Sequence, residues 1–303
     1  MGCIYHIGES SSVGAAAKPL IWPAMERLLA RSFLSKTDGW QPVAGRIAGL
    51  LAVLSCVSGP AHATPPARVV SLAPNLTAMV MELGAGASLA AVTPFCTAPD
   101  EMKRVPGGMQ PEAEAVLALE PDLVLASSIT PANTLRQLRS LGIRTEVFEA
   151  TSLEQIRQSM GQLASLLEVS PPQIPATATS EEAKSAALLF GADTGYSAGC
   201  GTHAHEILQS AGLHNIAASV SGPWPQLSEE FLLAADPEII IVADYGDAKK
   251  EKLLEFLRHH PLRKHLTAVR NGHVIVFPAQ AFSIPGPAAL EAGDKLRAEV
   301  AKL

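Results

Sequence analysis

From Arg68 onward the chain alternates short aliphatic runs with stretches of helical period. RVVSLA predicts a strand, NLTAMVMELGAG a helix from Asn75 that stops at Gly84 and Gly86, and SLAAVT a second strand followed by the loop FCTAPDEM. Aliphatic runs without polar alternation are what a parallel sheet covered on both faces requires. Pro111 stands where a first-turn proline belongs and opens a helix carrying Glu114. DLVLA is the next strand, SSITPA a loop, Asn133 to Leu141 a helix and RTEVFEA a strand. Ser152 and Gln155 have capping-box spacing, which predicts a helix running to about Leu167. The rhythm then breaks at EVSPPQIPATATS, which has prolines and no period and reads as a connection. It resumes with strand AALLFGA, loop DTGYSAGCG, a helix from about Thr202 to Gln209, the loop GPWPQ and a helix carrying Glu230. Strand EIIIVAD, helices within 248–268, strand HVIVFPA and a closing helix from Pro287 complete the chain.

One unit occurs twice. EAVLALEPDLVLA at 114–126 and EFLLAADPEIIIV at 230–242 share a leading Glu, an apolar turn, an acid-Pro-acid corner and an aliphatic run in the same register. Proline cannot continue a helix and restricts the residue before it, so each copy predicts a short helix, a corner and a buried strand. Two copies half a chain apart imply two similar α/β lobes with mainly parallel sheets. The expected boundaries are an N-terminal extension and signal at 1–63, a lobe at 64–167, an interlobe connection at 168–185 and a second lobe at 186–303. In open parallel sheets ligands sit beyond the carboxyl ends of the strands, so the loops near 74, 96, 127, 196, 223, 244 and 280 are the candidates.

Residues 1–45 hold Ser, Gly and Pro clusters with no sustained period, and no fold is assigned to them. Met25 can serve as the true start, and IAGLLAVLSCVS after Arg46, then Gly59-Pro60 and Ala61-His62-Ala63, has the form of a secretory signal cut after Ala63. The expected location is the periplasm, with lipid attachment at Cys56 a weaker reading. The first 63 residues hold 5 Lys or Arg and 3 acids, so residues 64–303 carry 18 and 26, a net charge of −8. So acidic a body argues against nucleic acid as a partner.

The chemistry-bearing residues are few. No nucleophile elbow, phosphate loop or HExxH is present, and Leu83-Gly84-Ala85-Gly86 follows a helix, so it reads as a helix stop. The chain is expected to be no enzyme and to need no cofactor. Cys200, His203 and His205 have metal-ligand character, which leaves a secreted metalloenzyme as the least favoured function. Side chains two apart on a helix diverge, so the favoured structure there is a loop and first turn with one imidazole in solvent. Cys96 and Cys200 are expected as free thiols on opposite sides of a cleft. Trp224, between two prolines, is either a flat ligand contact or a lid on its own lobe. Tyr196 and Phe282, in strand-end loops, tilt the balance to a cleft. Glu114 and Glu230 each suit a helix start. As a matched pair they also suit two cationic sites on a symmetric partner.

RVVSLAPNLTAMVMELGAG, EAVLALEPDLVLA, LGIRTEVFEATSLEQI and GPWPQLSEEFLLAADPEIIIV resemble the periplasmic substrate-binding proteins of ABC importers for cobalamin, haem and ferric siderophores, over about 67–166 and 186–300. PWPQLSEE and ATSLEQI are most similar to the cobalamin branch. The resemblance implies two lobes bridged by a long helix, a ligand held between them, and a Glu on each lobe, here Glu114 and Glu230, docking on arginines of an inner-membrane permease dimer. Where the family has its long helix this chain has EVSPPQIPATATS, and Pro106 and Ala281 stand where cleft aromatics can occur. The expected ligand contacts are Asn75, Cys96, Gly108, Tyr196, Trp224 and Phe282 of a monomeric receptor. Because these loops carry almost no Arg or Lys, a corrinoid, broad and amide-rimmed, is preferred to haem or an anionic ferric siderophore.

Overall fold

The computed structural model describes residues 65–108, 110–171, 184–246 and 250–303. The signal, Cys56 and most of the expected connection fall outside these residues. Lobe 1 comprises β1 (Val69–Ser71), α1 (Pro74–Glu82), β2 (Leu89–Val92), β3 (Lys103–Arg104), α2 (Ala113–Leu117), β4 (Leu123–Ser127), α3 (Ala132–Ser140), β5 (Thr145–Phe148) and α4 (Leu153–Leu166). Lobe 2 comprises β6 (Lys184–Phe190), α5 (His203–Ser210), β7 (Leu213–Asn215), α6 (Glu229–Ala235), β8 (Ile239–Asp244), α7 (Lys250–His259), α8 (Thr267–Asn271), β9 (Val274–Pro278), α9 (Gln280–Ser283) and α10 (Pro287–Val300).

The strands form two sheets, ordered β3-β2-β1-β4-β5 and β7-β6-β8-β9. Every pairing is parallel. Successive strand residues feed alternate apolar layers. Leu123 and Leu125 join the layer shared by the lobes, whereas Val124 joins the outer layer of lobe 1. Ile239 and Ile241 point to the shared layer, and Ile240 and Val242 to the outer layer of lobe 2. That alternation between two apolar environments is why the runs read as continuous aliphatic stretches.

The repeated unit is structurally equivalent in the two lobes. β4 pairs with β1 and β8 with β6, so in each lobe the strand after the acid-Pro-acid corner lies beside the first strand. The residue before each proline, Glu120 or Asp236, takes a left-handed conformation with φ of 46° or 35°. The acid after each proline tethers the start of the neighbouring strand. Asp122 Oδ2 accepts from the Ala67 and Arg68 amides, both at 2.9 Å, and Glu238 Oε2 accepts from the Ser185 amide at 2.8 Å.

Between the lobes, α1 and α4 pack against α5 and α10 in one continuous core that includes Leu76, Ile156, Met160, Leu163, Ile207, Leu208 and Leu296. A hydrogen bond crosses the same junction: Glu206 Oε2 on α5 accepts from the Leu153 amide at the first turn of α4, at 2.6 Å. The expected Ser152 cap is present, with its hydroxyl accepting from Gln155 N. The Gln155 side chain reaches the Thr151 amide instead of closing the box on Ser152. α4 ends at Leu166, and Glu168 turns left-handed with φ of 53°, so this helix does not run on as the long bridge that the family resemblance implies. Among the described residues no helix is long and apolar enough to cross a membrane.

Candidate functional site

The carboxyl ends of the strands carry an unusual share of uncovered apolar side chains. In lobe 1, Phe95 after β2 is 57% exposed and Ile129 after β4 is 74% exposed; in lobe 2, Tyr196, Trp224 and Tyr245 are 52%, 47% and 59% exposed. These side chains lie beyond the carboxyl ends of the strands, the region where ligands of open parallel sheets sit, which makes their loops the candidate surface.

The Phe95 loop and the Tyr196 and Trp224 loops are braced from behind. Arg104 Nη1 donates to the carbonyl of Cys96 at 2.7 Å and Nη2 to that of Ala98 at 3.0 Å, so this cation is committed to holding the loop beside Phe95. Gly108 is left-handed, with φ of +57°, and a Cβ there would lie 3.6 Å from the Phe95 ring. In lobe 2 the Tyr196 loop runs against the GPWPQ segment. Tyr196 and Gln226 form an antiparallel bridge, Ser197 N donates to Pro225 O at 2.9 Å, and Leu227 N donates to Gly195 O at 2.8 Å. Only glycine fits at 195, since a Cβ would stand 2.3 Å from the Leu227 carbonyl oxygen.

Of the two roles left open for Trp224, the lid on its own lobe is visible. One edge covers its own lobe, with the ring centroid 5.8 Å from Phe190 and 6.4 Å from His203, and the rest is in solvent. Beneath it His203, 3% exposed, has no hydrogen-bond partner for Nε2. Burial holds its imidazole down to about pKa 4, opposed in part by the nearby Phe282 carbonyl. His205 is also buried, and its Nδ1 lies 3.2 Å from Asn215 Nδ2. Burial first, and the charge of His214 second, lower its pKa.

A cavity of about 480 Å³ opens between Pro74, Ala78 and Thr97 of lobe 1 and Gln280, Ile284 and Pro287 of lobe 2. Gln280 begins the helix whose Phe282 carbonyl faces His203, and His203 in turn contacts Trp224, so cavity and exposed tryptophan are connected through α9 and His203.

Several expected contacts sit elsewhere. Phe282 is 0% exposed and packs on Phe277 with centroids 5.4 Å apart, so its ring is core and offers a ligand no wall. The side chains of Asn75 and Cys96 are buried, at 6% and 4%; Cys96 Sγ lies 3.2 Å from Thr93 Oγ1. Phe95, Ile129, Tyr245 and Gln280 were not singled out from the sequence, although each lies in or beside a strand-end loop that was. Cys200, His203 and His205 do not converge. Cys96 is a free thiol, and the rings of His203 and His205 engage different surroundings. The expected free thiol is present at Cys96, and the expected solvent-facing imidazole is absent because both rings are buried. Among the described residues no group of three His, Cys, Asp or Glu is placed to hold a metal ion.

Glu114 and Glu230 are both exposed, in the first turns of α2 and α6. The Glu230 carboxylate is held below the usual range by a hydrogen bond from its own amide and by the Ser228 side chain.

The sequence profile of the periplasmic binding proteins matches residues 69–170 and 175–281. A vitamin B12-binding protein of Photorhabdus laumondii is 30% identical over 267 residues, 82% of this chain and 92% of that protein. A cobalamin-binding protein of Halobacterium salinarum is 30% identical over 247 residues, 75% of this chain and 67% of that protein. Among solved structures, the periplasmic haem binding protein HutB of Vibrio cholerae superposes with a TM-score of 0.65 at 23% identity, covering 77% of this chain and 98% of that one. The periplasmic vitamin B12 binding protein BtuF of Vibrio cholerae gives 0.62 at 22% identity, covering 78% and 98%. With its two parallel-sheet lobes and a profile match over most of its length, this chain belongs to the periplasmic binding protein family.

Proposed function

We propose that the chain is a non-enzymatic periplasmic receptor that binds a corrinoid between its lobes and delivers it to an inner-membrane ABC importer. The observation that carries this reading is the set of exposed rings, Phe95, Tyr196, Trp224 and Tyr245, on strand-end loops of both lobes. A corrinoid is a broad, largely neutral macrocycle with an amide rim, and it is matched by flat apolar walls more than by ion pairs. The nearby guanidiniums of Arg104 and Arg263 are tied to loop carbonyls and to Glu229, which leaves them poorly placed to receive an anionic siderophore. Relatives that bear cobalamin names point the same way.

Glu114 and Glu230 are the charges this reading assigns to docking on the permease dimer. They occupy equivalent places in the repeated unit, and each remains in solvent, where a partner arginine can reach it.

A haem receptor is the second reading. It is favoured by the likeness to HutB and by His203, a neutral imidazole whose Nε2 has no protein partner. Calorimetric titration with cyanocobalamin, with and without Trp224→Ala, tests the first reading. Loss of an aromatic wall should weaken corrinoid binding by about tenfold or more. Undiminished binding in the variant would remove Trp224 from the site, and an absence of corrinoid heat in the wild type would end the reading.

A further inference from the structure

Lobe 2 contains a cation almost wholly withdrawn from water. The side chain of Arg263 is 2% exposed, in the 3-10 turn Arg263–His265. Its Nε donates to both carboxylate oxygens of Glu229, at 2.9 and 3.2 Å, and its Nη2 donates to Glu229 Oε1 at 2.6 Å. Its remaining nitrogen, Nη1, donates to the carbonyl of Ala192. A buried guanidinium needs such partners on every side, because taking the charge out of water is costly unless its hydrogen bonds are made.

The two acceptors belong to different working parts. Ala192 lies in the turn from Gly191 to Tyr196, the loop that presents an exposed ring to the candidate site. Glu229 begins α6 and is the immediate neighbour of Glu230, the exposed acid assigned to docking. The segment joining them, Pro223 to Ser228, carries Trp224 and is itself hydrogen-bonded to the Tyr196 loop through Ser197, Gly195 and Leu227. Ring-bearing loops and docking helix thus form one closed circuit, and among the described residues Arg263 is the side chain in it that grips both ends. The fork matters: lysine, a point charge on a flexible stem, cannot hold a carboxylate with two nitrogens and a carbonyl with a third. In lobe 1, Ala113 stands where Glu229 stands in the repeat, so that lobe has no equivalent grip at this place.

We propose that Arg263 is a positioning residue that makes the Tyr196 and Trp224 loops and the docking helix α6 a single support, so that the ligand-facing rings and the Glu230 charge are set by the same guanidinium. The proposal rests on the functional reading of those two surfaces and adds a physical connection between them.

The test is hydrogen–deuterium exchange of the full chain in wild type, Arg263→Lys and Glu229→Gln, followed by titration of each with cyanocobalamin. The expected result is exchange about tenfold faster in peptides spanning 190–199 and 223–231 in both variants, with lobe 1 and the interior of β8 unchanged. Cyanocobalamin affinity should fall by about threefold or more in the same variants. Unchanged exchange at 190–199, or a uniform rise across the whole of lobe 2 that marks only lost stability, overturns the proposal. If exchange changes locally while cyanocobalamin affinity does not, the link to the ligand surface is overturned. A wild-type protein that ignores cyanocobalamin refutes the corrinoid reading instead, and the exchange result still decides the role of Arg263.

Discussion

Acid should weaken this protein through His203. His203 is 3% exposed, has an unpartnered Nε2, and is held by burial near pKa 4 against an ordinary value of 6.5. The unfolded chain therefore binds a proton between these values that the folded chain refuses. Stability is complete above pH 6.5 and is lost as pH falls toward 4, with a slope approaching 1.4 kcal/mol per pH unit. Worked through, the loss is about 1 kcal/mol between pH 7.5 and 5.5, and about 3 kcal/mol once the folded pKa is reached. The first of these corresponds to about 2–4 °C in melting temperature for a chain of this size. Urea unfolding at half-unit steps from pH 7.5 to 4.5, in wild type and His203→Leu, isolates the effect. His205 titrates in the same direction through its own burial, so the difference between the two proteins is the diagnostic quantity. The leucine variant should show a shallower acid slope and lose nothing to an unpartnered nitrogen. Parallel slopes in the two proteins would refute the assignment of His203 as a buried neutral imidazole.

Three further outcomes are expected. Glu206→Ala removes the charged acceptor of the Leu153 amide at the lobe junction and should cost about 1–2 kcal/mol in denaturant unfolding, with faster exchange at the start of α4; an unchanged unfolding midpoint would make that bond incidental. Gly195→Ala sets a Cβ 2.3 Å from the Leu227 carbonyl oxygen, so the Tyr196 loop must move, with about 1–3 kcal/mol of destabilisation and weaker corrinoid binding; wild-type behaviour in both assays would contradict the packing described. Glu114→Ala combined with Glu230→Ala should depress importer-dependent uptake while leaving corrinoid affinity in solution intact, and unimpaired uptake would sink the docking role.

The fold was legible wherever a segment was long enough to carry a period. β4 and β8 were plain because their residues alternate between two apolar layers, and the acid-Pro-acid corners were plain because the chemistry of proline is local. What the repeat did not disclose is that the second acid of each corner, Asp122 or Glu238, reaches across to pin the neighbouring strand. β3 and β7, of two and three residues, were missed, since so short an edge strand exists only through its pairing with a neighbour. The site was legible as a set of loops but not as a set of side chains. Phe95 and Phe282 both follow a strand, yet Phe95, in a turn, is exposed and Phe282, on α9, is clasped by Phe277, a difference made by tertiary packing. The same holds for His203 and His205: helical spacing correctly separated the two rings but gave no hint that neighbouring elements would bury both.

The exposed rings of the two lobes are proposed to receive a corrinoid in preference to haem. That preference is tested most directly by competition on one sample: the purified protein is loaded with cyanocobalamin, an equimolar amount of haemin is added, and the visible spectrum of the protein-bound fraction is read after gel filtration. The protein fraction should keep the cobalamin spectrum and acquire no Soret band. A protein fraction that exchanges its cobalamin for haemin would contradict the proposal.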